Sequence, residues 1–117
     1  MPINIQLTEK FIEKVYAVEE VTEKPKYPGG LQNFYIDISK HFKSPEKEGL
    51  KGKIVIGFII EKDGSVVETK ILKDIGYGTG EEAMRSIKLI KKWIPGKLED
   101  GTFVRTAYSL PISEQEE

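Results

Sequence analysis

His41 is the single histidine of the chain, and with no cysteine present it is the one side chain suited to proton transfer near neutral pH. Asp37 and Ser44 lie close to it in sequence, and together they could be drawn as a Ser-His-Asp relay. No serine, however, sits in anything like a nucleophile elbow. Glu61 and Asp63 could form an acid–base carboxylate pair, but Asp63-Gly64 reads first as a tight hairpin turn. Gly76-Tyr77-Gly78-Thr79-Gly80 ahead of a helix invites a phosphate loop. It lacks the lysine that such a loop needs, and Glu81 and Glu82 would repel a phosphate at that helix start. Zero cysteine excludes disulfides, thiolate metal sites and thiol nucleophiles, and one histidine excludes paired-histidine metal sites. The expectation is a protein without catalytic, metal or cofactor residues. A small hydrolase acting through His41 is the enzymatic alternative.

The lysines Lys40, Lys43, Lys47, Lys51 and Lys53 are interrupted by Glu46 and Glu48, which marks a solvated face rather than a nucleic-acid surface. Eighteen basic against nineteen acidic residues leave a formal charge of −1, so no general polyanion surface is expected. The 117 residues suffice for one domain, and 32% charged with 38% hydrophobic residues is a soluble globular composition. The longest apolar run, Ile54–Ile60, is far short of the ~20 residues of a membrane helix. Met1-Pro2-Ile3-Asn4 does not read as a secretory leader.

The elements follow from periodicity. Thr8 caps at most a brief helix carrying Leu7, Phe11 and Ile12, and Val15 to Val21 suits a short extended segment. Pro25, Pro28, Gly29 and Gly30 force a turn. Leu31, Phe34, Ile38 and Phe42 then form a helical stripe. Lys53–Ile60, nearly all apolar, reads as a central strand, turned at Asp63-Gly64 into a more polar strand, Ser65–Leu72. A second helix buries Ala83, Ile87, Ile90 and Ile94, with Lys91 and Lys92 in its last turn, and stops at Pro95-Gly96. Trp93 is expected as a core or lid residue, with a binding anchor as the minority reading. A last alternating strand spans Phe103 to Leu110.

Connection rules arrange these as an α+β fold: a three-stranded antiparallel sheet of order 2-1-3 with two helices packed on one face. An N-terminal arm is able to add a short strand. Residues 1–14 are expected as a flexible arm or linker remnant, 15–112 as the domain, and 113–117 as a frayed acidic tail. The last strand is left with one open edge. An edge of this kind needs protection or serves as a rail for an extended peptide.

Several segments resemble one family in order and spacing. Lys24-Pro25-Lys26-Tyr27-Pro28-Gly29-Gly30 is similar to the P-x-[FY]-P-G-G opening of Bacteroidetes-type TonB C-terminal domains. Gly49 to Phe58 resembles the G-[IV]-x-G-x-[IV]-x-[IV]-x-F run, Asp63-Gly64-Ser65-Val66 the D-G-x-[IV] turn, and Trp93 to Lys97 the W-x-P-G-K signature. Glu82-Ala83, Gly101, Val104 and Leu110-Pro111-Ile112 complete a likeness over roughly residues 15 to 112. One departure stands out. Where many members carry Tyr-Pro and then Ala before the glycine run, this chain has His41, Phe42 and Pro45.

The resemblance implies a non-enzymatic periplasmic domain of an energy transducer. Such a domain is tethered to the inner membrane through an anchor absent from this chain, and works with ExbB and ExbD. It implies binding of the TonB box of outer-membrane receptors by strand addition, here at Thr102, Phe103, Val104, Arg105, Thr106, Ala107, Tyr108, Ser109 and Leu110. His41 and Phe42 are secondary contact candidates. A homodimer by strand exchange, and a stand-alone TonB-like domain with a regulatory or assembly role, are the competing outcomes.

Overall fold

The computed structural model describes residues 13–115, so the expected helix at Thr8 and most of the expected flexible arm lie outside the described residues. Five strands and two helices follow in the order β1 (Val15–Tyr16), α1 (Leu31–His41), β2 (Lys51–Ile60), β3 (Val66–Lys73), α2 (Thr79–Leu89), β4 (Gly96–Lys97) and β5 (Phe103–Gln115). A 3-10 turn, Val18–Glu20, follows β1.

The α+β class and the β3-β2-β5 order agree with the sequence reading, and the sheet is extended by two short strands. Its order is β1-β5-β2-β3, with β4 paired to β5 off that path. The expected three-stranded, wholly antiparallel sheet is thereby corrected: β1 runs parallel to β5, pairing Val15 with Arg105 and Tyr16 with Thr106. β4 takes up β5 where β2 leaves it, since β2 pairs Thr106 to Gln115 and β4 pairs Phe103 and Val104. β5 also runs past Leu110. Ser113, Glu114 and Gln115, expected frayed, pair with Lys53, Gly52 and Lys51, and residues 116–117 lie outside the described part.

The core lies between the sheet and the helices. Period two on β2 sends Ile54, Ile56, Phe58 and Ile60 to one face, where all four are buried. The helical stripes supply Phe34 and Ile38 from α1, and Ala83 and Ile87 from α2. Tyr27, Phe34, Phe58, Trp93 and Tyr108 form one aromatic cluster. Trp93 stands 5.4 Å in ring centroid from each of Tyr27, Phe34 and Tyr108, and among the described residues its Nε1 has no hydrogen-bond partner. The Tyr27 hydroxyl donates to Asp37 at 2.6 Å and accepts the Lys91 N–H at 3.1 Å, tying the proline–glycine turn to α1 and to the segment after α2.

That tie explains a second correction. α2 ends at Leu89, so Ile90 is its C-cap, Ile94 is half-exposed, and Lys91 and Lys92 lie beyond the helix. Pro95 disfavours helical geometry at Ile94. The backbone N–H groups of this stretch find other acceptors: Lys91 bonds Tyr27, Trp93 bonds the Gly64 carbonyl at 2.9 Å, and Ile94 bonds the Lys26 carbonyl at 2.7 Å.

Candidate functional site: the outer edge of β5

Alternation along β5 buries Val104, Thr106, Leu110 and Ile112 and leaves Ala107, Ser109, Pro111 and Ser113 exposed on the helix-free face. Pro111 stands opposite Val55 of β2. Proline has no N–H, so this ladder position is one whose amide faces away from β2. Its carbonyl accepts the Tyr35 hydroxyl at 2.8 Å. Since antiparallel ladders alternate, Ala107, Ser109 and Ser113 present their backbone groups in the same outward direction.

The nine residues expected to form the binding edge are unequally placed. Thr102 belongs to the preceding turn, where its N–H donates to Asp100 at 2.9 Å. Phe103 and Val104 pair with β4, and Arg105 and Thr106 pair with β1. Ala107, Tyr108, Ser109 and Leu110 pair on one side only, with β2, among the described residues. The open stretch thus lies between the end of β1 and the Tyr35–Pro111 contact.

One hollow opens on this stretch, and a second lies past its end at Pro111–Ser113. On the helix-free face a trough of about 690 Å³ is floored by Gly57, Ile59, Ala107 and Ser109 and walled by Val15, Ala17 and Val18 on one side and Leu72 on the other. Gly57 leaves the floor low: a Cβ there would stand 3.0 Å from Leu72 Cδ1. Register shifts in the β2–β3 ladder bring an extra β3 residue near Glu68 and another near Leu72, and Glu68 takes a left-handed φ of 50°. Such bulges re-aim side chains, here two that line the trough. On the helix side a second hollow of about 550 Å³ is lined by Tyr35, Ile38, Ser39, Phe42 and Ser44 with Pro111, Ile112 and Ser113.

Of the secondary candidates, Phe42 lines that second hollow. His41 is exposed at the end of α1, and its carbonyl accepts Arg85. Sequence reasoning missed Tyr35 and Pro111 as bounds of the site; the segment from Val15 onward adds the short strand expected of it, and its Val15, Ala17 and Val18 wall the trough. Tyr35 carried a signal, an aromatic residue one step off the buried stripe of α1.

The electrostatics are confined to one end. Arg105 Nε donates to Glu61 at 2.6 Å, its Nη2 stands 3.6 Å from Glu68, and its Nη1 donates to the Glu13 carbonyl at 3.1 Å. Lys62 pairs with the Glu13 carboxylate at 2.7 Å. The other sequence candidates are engaged in holding turns. Asp63 Oδ1 accepts the Ser65 N–H at 2.9 Å and hydroxyl at 2.6 Å, which hold its carboxyl below the usual range. Asp74 Oδ1 accepts Gly76 N–H at 3.0 Å and the Thr79 hydroxyl at 2.9 Å, so the glycine loop is filled by its own aspartate. The Tyr27 hydroxyl holds the Asp37 carboxyl below its ordinary value, and among the described residues no hydrogen bond joins the His41 ring to Asp37 or Ser44. Among the described residues no group of three His, Asp or Glu side chains is gathered for a metal ion, and no helix is long and apolar enough to cross a membrane.

Residues 43–113 match the family model described as Gram-negative bacterial TonB protein C-terminal. The chain belongs to the TonB C-terminal domain family. Two solution structures of the Helicobacter pylori TonB C-terminal domain share its fold. A shorter piece matches with a TM-score of 0.56 at 24% identity over 74% of this chain and 96% of that one. A longer piece matches with a TM-score of 0.52 at 22% identity over 74% and 80%. No curated protein sequence matches. The family match begins after α1 and spans β2 to β5, so it includes the whole open edge.

Proposed function

We propose that this TonB C-terminal domain is a non-enzymatic, periplasmic interaction module of an energy transducer. It takes up the TonB box of an outer-membrane receptor as an added strand on β5 within Thr102–Leu110. The supporting observation is the stretch Ala107–Leu110, paired on one side only among the described residues and opening on the trough of the helix-free face. Backbone hydrogen bonds supply the grip, and alternate side chains of the added strand lie over the trough of the helix-free face. Phe42 contributes to the helix-side hollow. In this reading ExbB and ExbD act through a membrane tether, and the domain carries traction without any bond-making chemistry.

Titration of ¹⁵N-labelled protein with receptor TonB-box peptides tests the reading. Backbone amides of Ala107, Ser109 and their neighbours are expected to shift in a saturable manner, with β3 amides unaffected. Saturable binding that leaves β5 untouched, or no binding at millimolar peptide, overturns it.

A further inference from the structure

The segment Glu13–Glu20 already occupies part of the edge assigned above to a partner. It runs in extended form along β5 for two residue pairs, Val15 with Arg105 and Tyr16 with Thr106, and then curls into the Val18–Glu20 turn. Val15, Ala17 and Val18 form a wall of the trough against Ala107 and Ser109. Its acidic head is read by cations of the domain: the Glu13 carboxylate by Lys62, the Glu13 carbonyl by Arg105. Among the described residues Glu13 is the only ion-pair partner of Lys62.

The ion pairs among these ties lie at the surface. The Lys62–Glu13 pair has both side chains about half exposed, at 49% and 54%, where ion pairs contribute little. The turn beyond β1 is held by the Glu20 carboxylate, which accepts the Ala17 N–H at 2.8 Å and Lys14 at 2.9 Å, again on the surface. Firm anchorage begins only later, where Glu23 and Lys26 pair with Lys97 and Ile94 and Tyr27 enters the core. Release of the arm from β5 leaves these later ties in place.

We propose that Glu13–Glu20 is a resident occupant of the β5 edge, displaced by a partner segment of the same chemistry: an acidic residue followed by alternating apolar residues, extended and parallel to β5. This rests on strand addition at β5 as proposed above and deepens it. Lys62 receives the partner's acidic head, Arg105 the backbone carbonyl of that same residue, and the Gly57–Leu72 trough its apolar side chains. Departure of the arm lengthens the accessible edge from Ala107–Leu110 back to Arg105. Because a tethered strand acts at an effective concentration of about millimolar, the resident arm also sets a threshold that weak partners do not pass.

The probe is a free peptide with the sequence of residues 13–20, titrated into the ¹⁵N-labelled full chain and into Val15→Gly/Tyr16→Gly. Glu20→Ala is a second variant that loosens the turn and leaves the paired residues intact. Both variants should retain the wild-type β2 and β3 amide pattern. The peptide is expected to bind the variants at least tenfold more tightly than wild type, shifting Arg105, Ala107 and Ser109. A peptide with its three glutamates changed to lysine should lose that binding. Equal affinity for wild type and variants overturns the displacement while leaving strand addition in place. Receptor peptides that shift β5 when the arm peptide never does overturn the shared chemistry alone, and absence of β5 shifts with either sequence overturns both readings. Concentration-dependent dimerisation of the variants, with arms exchanged between copies, overturns the proposal in favour of a second copy as the occupant.

Discussion

The Tyr35 hydroxyl reaches from α1 over the side of the sheet and donates to the Pro111 carbonyl at 2.8 Å. Two backbone groups are thereby removed from the β5 edge at one residue: proline supplies no N–H, and Tyr35 covers the C=O. Edge strands commonly need such protection, and here it falls just past the open stretch.

Tyr35→Phe uncovers that carbonyl. The bond is partly exposed, so its loss should cost only about 0.5–1 kcal/mol in denaturant unfolding. The informative readout is the footprint of a bound receptor peptide, which should spread toward Ile112 and Ser113. An unchanged footprint would mean that Pro111 alone ends the site.

Tyr27→Phe tests the tie between the turn, α1 and the segment after α2. The substitution leaves the part-buried Lys91 N–H without its acceptor and removes the bond to Asp37, a loss of about 1 kcal/mol or somewhat more. Burial, with the Asp37 carboxylate as the next cause, pushes the Tyr27 hydroxyl up from 10.0 to about 12. The neutral phenol is favoured in the folded state, so its stabilisation is present below pH 10.0 and disappears as pH rises through about 12. The stability difference between wild type and Tyr27→Phe should shrink across that window, followed by unfolding at fixed denaturant.

Asp74→Asn tests the filled glycine loop in the opposite pH direction. The Gly76 N–H first, then the Thr79 hydroxyl, hold the Asp74 carboxyl below its ordinary 3.8. Stability from this carboxylate is present above pH 3.8 and is lost as pH falls through the lower folded value. The asparagine variant should be modestly less stable at neutral pH, with a shallower acid decline. A decline parallel to wild type would show that Asp74 does not contribute to it.

Gly64→Ala and Gly57→Ala separate backbone from side-chain crowding. At Gly64, φ is +88° and an added Cβ would lie 2.0 Å from the Trp93 carbonyl oxygen, which itself accepts no relief from a flexible neighbour. The cost should exceed about 2 kcal/mol in thermal or denaturant unfolding. At Gly57 the obstacle is the exposed Leu72 side chain, free to rotate away, so alanine should cost within about 1 kcal/mol. Gly57→Ala raises the trough floor and should weaken receptor-peptide binding more than it weakens the fold.

The main elements were legible because each carries its own period. β2 is a nearly unbroken apolar run, and Phe34, Ile38, Ala83 and Ile87 mark helical faces that bury as read. The two-residue strands β1 and β4 carry no period at that length. The Lys97 N–H and carbonyl are taken by Glu23 and Thr22, about seventy residues earlier in the chain, and only the folded molecule brings them together. The end of α2 was misread for a similar reason: Tyr27, Gly64 and Lys26 capture the backbone that periodicity assigned to the helix. The edge of β5 followed from element order. Its open length did not, since that depends on where β1 stops and on Tyr35 reaching Pro111.

β2 is joined to its two neighbours on very different terms. The hairpin to β3 closes over a five-residue turn from Glu61 to Ser65, whereas the ladder to β5 joins residues roughly fifty positions apart. Local closure is favoured over distant closure, so the hairpin with α2 behind it is the assembly expected to form first. β5 then docks as the closing strand, and β1 can settle only on a β5 already in place. Native-state hydrogen exchange should retrace that order in reverse: the arm opens most readily, β5 next, and the centre of β2 only with global unfolding. The strand that offers its edge is thus the last major piece to join the sheet.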